Sequence, residues 1–271
     1  MRRSIFLLVF ILLICNLSFA QVLRFGVPNL EGYDKERFHW GFSLGINIVD
    51  VNLKTRTNYE DPNNISPTNP VVQIYSKVTP AFSVGIIANM RLGEYFDLRF
   101  IPSFSIAHNI DLYYQFADSV LVDAGNQRIF SNPILSQIKG DYIILPLFIK
   151  FKSSRMHNVR LYVIGGGQVC LNMTNNKKNK LHADSYTVKV KNAPVIKPYD
   201  VQVKGGLGFD FYTTYFKFST EFKVAFGVIN MLEDPNKTAL RTNGSDYLQS
   251  PIYKGLQSLK SKTFSITFLI E

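Results

Sequence analysis

The chain is poor in cysteine, histidine and charge, and past its first twenty residues it has no long apolar run. Each shortage excludes something. A membrane helix needs about 18–20 consecutive apolar residues, and none follows residue 20, so no helix of that kind is expected. Only two cysteines occur, Cys15 and Cys170. Cys15 falls in the N-terminal leader, so the mature chain cannot form an internal disulfide. The four histidines, His39, His108, His157 and His182, have no partner at metal-ligand spacing. No metal, cofactor or catalytic residue is therefore assigned. Charged residues make up 18% of the chain, against about 25% in soluble domains, which leans toward a membrane protein.

The leader is a positive feature. Arg2 and Arg3 precede the apolar run Ile5 to Cys15, then Ser18-Phe19-Ala20 stand before Gln21. This is the n-region, short h-region and small-residue cleavage site of a secretory signal peptide, cut after Ala20. Ile14 stands where a lipoprotein leader has a small residue, so Cys15 is not a lipidation site. Three parts are expected: a signal peptide over 1–20, a periplasmic N-terminal segment over 21–36, and a membrane domain over 37–271. Loss of Arg2 and Arg3 lowers the net charge from +10 to +8. A secreted basic chain has little occasion to meet nucleic acid. Its excess charge suits anionic lipid or acidic partners.

What the chain does have is alternation. In "YFKFSTEFKVAFG" (215–227), Phe216, Phe218, Phe222, Val224 and Phe226 share one parity, and Lys217, Ser219, Glu221 and Lys223 the other. Such a segment is an extended strand with two unlike faces. The pattern recurs. Phe38 to Ile48 alternates with His39 to Asn47, and Phe82 to Leu92 with Ser83 to Arg91. Phe96 to Ile106 alternates with Asp97 to Ser105, and Ile143 to Phe151 with Tyr142 to Lys152. Leu161 to Leu171 alternates with Arg160 to Cys170, Val201 to Phe211 with Gln202 to Asp210, and Phe264 to Ile270 with Thr263 to Glu271.

Eight segments of about the 9–11 residues that a tilted spanning strand needs, joined by connections that alternate long and short, predict an all-β fold. It is an eight-stranded antiparallel transmembrane β-barrel of the outer-membrane type. Short turns would be periplasmic, four long loops extracellular, and both termini periplasmic. The phenylalanine row would face hydrocarbon and the charged row the lumen.

The short turns predict register. Closure at Leu92 and Phe96 sets Arg91 opposite Asp97. Closure at Tyr212 and Tyr215 sets Asp210 opposite Lys217 and Lys204 opposite Lys223, with Glu221 able to bridge the two lysines. The expected interior charge network is Arg91, Asp97, Arg99, Lys204, Asp210, Lys217, Glu221 and Lys223. Lys150, Lys152, Arg155 and Arg160 form a basic group near a short turn and are candidate periplasmic partner contacts, together with segment 21–36. Tyr95, Tyr212 and Tyr215 fit an interfacial aromatic belt. Phe222→Lys should cost about 2–4 kcal/mol on the lipid face, and Glu221→Gln should cost less.

"IGGGQ" (164–168) and "GGLGF" (205–209) lack the following helix of a dinucleotide loop, so no nucleotide is expected. Strand glycines of this kind mark bends or a crowded interior. "NNKKNK" (175–180) reads as a solvated loop tip, open to lipid phosphates or another anionic partner if it faces outward.

The stretches "RLGEYFDLRFIPSFS" (91–105), "LPLFIKFKSSR" (145–155), "RLYVIGGG" (160–167), "GGLGFDFYTTYFKFSTEFKVAFGVINML" (205–232) and "LKSKTF" (259–264) resemble the PorT family. PorT is the outer-membrane barrel component of the type IX (Por) secretion system of Bacteroidetes. The likeness spans the strands and short turns and is weak in the long loops. It implies a role in secreting proteins that bear a C-terminal signal, and in gliding motility in some relatives, with other secretion-system proteins as partners. It transfers no catalytic residue.

An eight-stranded lumen is filled by side chains or holds one small ligand, so folded cargo cannot pass. The expected function is a non-enzymatic accessory of the secretion machinery. The alternatives are a small barrel carrying a hydrophobic ligand, an adhesin acting through its loops, or an outer-membrane hydrolase. The hydrolase would need a serine, a histidine and an acid together near the rim.

Overall fold

Alternation makes a sheet only when each strand finds neighbours, and here the ladder closes on itself. A computed structural model describes residues 28–55, 71–116, 120–122, 128–130, 134–174, 196–233 and 256–271. The leader 1–20, segment 21–27, the NNKKNK run and His182 lie outside the described residues.

The strands are β1 (Phe38–Thr55), β2 (Val71–Lys77), β3 (Thr79–Arg91), β4 (Phe96–Phe100), β5 (Ser103–Ile106), β6 (Ile110–Phe116), β7 (Val120–Val122), β8 (Arg128–Phe130), β9 (Ile134–Ile138), β10 (Tyr142–Lys152), β11 (Val159–Asn172), β12 (Tyr199–Tyr212), β13 (Lys217–Gly227) and β14 (Leu256–Ile270). A single 3₁₀ turn, Tyr33–Lys35, precedes them.

β1 pairs with β3, β3 with β4 and β5, and both of these with β10. β10 to β14 then pair in sequence, and β14 returns to β1. Every pairing is antiparallel. β4 and β5 are one stave, interrupted at Ile101 and Pro102. Proline has no N–H to give the ladder. The register nevertheless runs through unchanged, from Ala88↔Phe100 to Gly85↔Ser103. Eight staves therefore close an antiparallel barrel without a free edge.

The faces divide as the alternation predicts. Phe38, Trp40, Phe42, Leu44, Ile46 and Ile48 lie on the outside of β1, and His39, Ser43 and Asn47 inside. The outer row spans ten residue steps, about 33 Å along the strand, or roughly 25 Å along the axis at a 40° tilt. That is the height of the apolar band of an outer-membrane barrel. Beyond Ile48 the outward positions become Asp50, Asn52 and Lys54, and the belt ends.

Two expectations are corrected. The turn between β12 and β13 is two residues longer than predicted. Thr213 N–H and its hydroxyl both donate to the Phe216 carbonyl, and Phe216 N–H donates back to Thr213 Oγ1. This hydroxyl clip sets Tyr212 opposite Lys217, Asp210 opposite Ser219, and Lys204 opposite Ala225. A shift by an even number leaves every side chain on its face.

The long connections, read as polar loops, also carry structure. β2, β6 and β9 form a second sheet, and β7 pairs with β8. Val49, Val51, Ile74, Ala81, Ile110, Leu112, Tyr114, Ile138, Ile196, Met231, Leu232, Leu256 and Leu259 make a buried apolar cluster at the long-connection end. Interior-facing positions of β1, β3 and β14 turn apolar there because they meet this cap.

Candidate functional site: the ionic lumen

Inside the belt the lumen is filled by charge, with Arg99 at its centre. Arg99 Nη1 donates to Glu221 Oε1 at 2.6 Å, Nη2 to Glu271 Oε1 at 2.8 Å, and Nε to Asn89 Oδ1 at 3.1 Å. Asn89 donates in turn to Asp97 at 3.2 Å, and Asp97 is paired with Lys152 at 2.6 Å. Glu221 accepts two further bonds, from Tyr162 Oη at 2.7 Å and Lys223 Nζ at 2.5 Å. Lys217 is paired with Glu271 at 2.6 Å and Lys150 with Asp210 at 2.7 Å. Ser219 holds the other Asp210 oxygen at 2.6 Å.

The Lys150 ammonium also lies 3.5 Å above the Tyr162 ring. Room for that ring comes from Gly208, its partner across the β11–β12 ladder, where a Cβ would stand 2.3 Å from it. Arg99 and Glu221 are wholly inaccessible to solvent. Removing one partner of a buried pair costs about 3–5 kcal/mol, because the other charge is left buried and uncompensated.

Both ends of this network are closed. Toward the long connections, Gln168 donates to Gln202 at 2.6 Å, and Gln202 donates to Asp200 at 2.7 Å and Ser261 at 2.9 Å. The apolar cap lies beyond. At the short-turn end the N-terminal segment folds across the opening. Tyr33 stacks on His39 at 4.0 Å and donates to Glu271 at 3.3 Å. Asp34 receives a two-pronged bond from Arg160, at 2.7 and 3.0 Å, and one from Tyr212 at 2.9 Å.

Arg155 lies 3.6 Å from Asp34, rests on the Tyr212 ring and donates to the Asn29 carbonyl. Burial alone would raise the Asp34 pKa. The Arg160 charge and the bonds from Tyr212 and Arg160 outweigh it and hold the carboxyl below the usual aspartate range.

The predicted site residues therefore divide. Asp97, Arg99, Asp210, Lys217, Glu221 and Lys223 lie in one connected interior. Lys204 is also buried, but among the described residues Glu221 pairs with Lys223 and not with it. Arg91 faces Asp97 in register, yet its side chain turns to the rim and donates to the Gly93 and Lys35 carbonyls.

The basic group proposed for partner contact is a correction. Lys150 and Lys152 are buried lumen residues, and Arg155 and Arg160 are taken by Asp34 and Asn29 of the chain's own N-terminal segment. Their parity already marked Lys150 and Lys152 as inward. Nearness to a turn does not expose them, because their strand still points them into the lumen. Tyr212 likewise leaves the proposed aromatic belt, since it is buried, while Tyr95 and Tyr215 remain exposed.

Sequence reasoning missed Asn89, Tyr162 and Glu271 as network members. All three share the inward parity of their strands, which was the available signal.

Of the hydrolase elements, His108 Nδ1 lies 3.5 Å from Ser105 Oγ. Burial, reinforced by the Lys204 charge, lowers its pKa to about 4, which leaves a neutral imidazole at ordinary pH. Among the described residues no carboxylate completes a triad with it, and no group of His, Cys, Asp and Glu could hold a metal.

A family model described as "Outer membrane protein beta-barrel domain" matches residues 19–233. Similar solved structures include the outer membrane protein OprG from Pseudomonas aeruginosa. It is 9% identical, with 91% of this chain and 98% of that chain covered at a TM-score of 0.36. Ail, the attachment invasion locus protein of Yersinia pestis, is 12% identical, with 87% of this chain and 98% of that chain covered at a TM-score of 0.31. No curated protein matches the chain.

Proposed function

Because this chain belongs to the outer membrane protein beta-barrel domain family, we propose that it serves in the outer membrane as a non-enzymatic accessory of a type IX secretion machine, in the manner of PorT. One observation carries the mechanical half of this reading. The lumen is packed by paired charges and covered at both ends, so the protein works through its ends and its rim and not as a conduit. The secretion half rests on the resemblance of the strands and short turns.

With the short turns in the periplasm, both termini lie there. The partner-facing surface at that side is then the N-terminal segment lying over the opening, in place of the buried Lys150 and Lys152. Residues 1–20 act as the signal peptide, 21–36 as the periplasmic segment, and 37–271 as the barrel.

Deletion of the gene in its host, followed by measurement of cargo bearing the C-terminal signal in the medium, tests the reading. Loss of export, restored by the intact gene, is expected. Normal export would overturn it. Cross-linking at Glu31 or Glu36 should capture secretion components.

A second reading, adhesion through the long connections, is favoured by the β2–β6–β9 sheet, whose Tyr75 and Tyr113 rings stack at 5.1 Å. Binding to a surface that is lost when this sheet is excised, with export intact, would favour it. A carrier of hydrophobic ligand is disfavoured by the ionic interior.

A further inference from the structure

One lumen cation is left out of the pairing. Lys204 on β12 is 8% exposed, and among the described residues it has no carboxylate within ion-pair distance. It lines a cavity of about 30 Å³ between the Arg99 network and the glutamine layer, and Lys223 lines the same space. Lys223 is itself only partly neutralised, because its partner Glu221 is shared with Arg99. No carboxylate lines the cavity.

The rest of the wall is mixed: Ile101, Ile144, Pro146 and Phe148 are apolar, and Gln168 brings an amide oxygen that has no hydrogen-bond partner among the described residues. Ser43, Ser83 and Thr267 contribute hydroxyls. Asn47 donates to Ser83 Oγ at 3.0 Å, which leaves the Ser83 proton free for the cavity. An uncompensated ammonium in such a site carries a large desolvation cost. A bound counter-ion removes it.

We propose that this cavity is a binding site for one small monovalent anion of halide size, held between Lys204 and Lys223 with serine and threonine hydroxyls completing its shell. A water requires about 10–15 Å³ of such space, so the cavity has room for a halide and a water or two. The ion would act as a fixed countercharge within the lumen. The proposal is independent of any secretion role, since it follows from the interior alone.

Bromide is the probe. Crystals of the purified protein grown in sodium bromide should show an anomalous peak in the cavity, within about 3.5 Å of the Lys204 and Lys223 ammonium groups. In detergent, thermal unfolding in sodium chloride should have a midpoint a few degrees above that in sodium gluconate at equal ionic strength, because gluconate cannot enter. Lys204→Met should abolish the difference and need not lower stability in gluconate. An empty or water-filled cavity in bromide would overturn the proposal, and so would equal midpoints in the two salts. A chloride effect that persists in Lys204→Met would also overturn it. Should that variant fail to fold, the bromide crystals and the two-salt comparison on the native protein still decide.

Discussion

Glu221→Gln is the sharpest probe of the interior. Glu221 is fully buried, and its two oxygens accept from Arg99 at 2.6 Å, Tyr162 at 2.7 Å and Lys223 at 2.5 Å. Glutamine keeps the shape but replaces one oxygen with a donor. If the new amide faces Lys223, two donors meet. If it faces the other way, it meets Arg99 and Tyr162. In either orientation at least one charge-assisted bond is lost, each worth about 1.5–3 kcal/mol. The surviving bonds lose their anionic acceptor, and two cations are left with too little negative charge.

The expected loss is about 3–5 kcal/mol, the range for breaking a buried pair. This overlaps the roughly 2–4 kcal/mol of a lysine on the lipid face, so the folded lumen makes the two costs comparable where the sequence alone put Glu221→Gln lower. The sequence pairing places Glu221 between Lys204 and Lys223, whereas the folded lumen gives the carboxylate Arg99, Tyr162 and Lys223 as partners. The measurement is urea unfolding of the barrel in lipid vesicles. It is read by fluorescence of Trp40, the only tryptophan, which stands 67% exposed on the belt, and by heat-modifiable migration on a gel. A loss below about 1 kcal/mol would refute the reasoning. Adding Lys223→Met to Glu221→Gln should cost less than the sum of the two, because the orphaned donor is removed. Strict additivity would contradict the proposed coupling.

Phe222→Lys should lower insertion yield by destabilising the lipid-facing row by about 2–4 kcal/mol, and yields equal to the parent in vesicles would contradict the assigned faces. Asp34→Asn should loosen the N-terminal segment at a cost of about 1–2 kcal/mol after allowance for its partial exposure, and protease should then cut within residues 28–36 while the barrel stays heat-modifiable. The sign with pH follows from the lowered Asp34 pKa. Its contribution is present above the unfolded value of about 3.9 and is lost as pH falls through the folded value, so the native segment should become protease-sensitive only in acid. Gly208→Ala would set a Cβ 2.3 Å from the Tyr162 ring, and a loss of about 1–3 kcal/mol in urea unfolding is expected.

Parity along each strand was determined by the sequence alone, and with it the two faces and the barrel. The reason is local: successive side chains on an extended chain must point opposite ways, so composition by parity reports the two environments. This made Phe222 and Glu221 legible as outward and inward before any coordinates. Three things waited for the tertiary structure. The β12–β13 register depended on a hydroxyl clip at Thr213, which a turn count does not reveal. The destination of Lys150, Lys152 and Arg160 depended on which carboxylates, from β4, β12 and the N-terminal segment, came round to meet them. The cap over the long connections depended on apolar residues from separate connections meeting across a closed ring. Partners this far apart along the chain leave no periodic trace, because only the closure of the barrel brings them together.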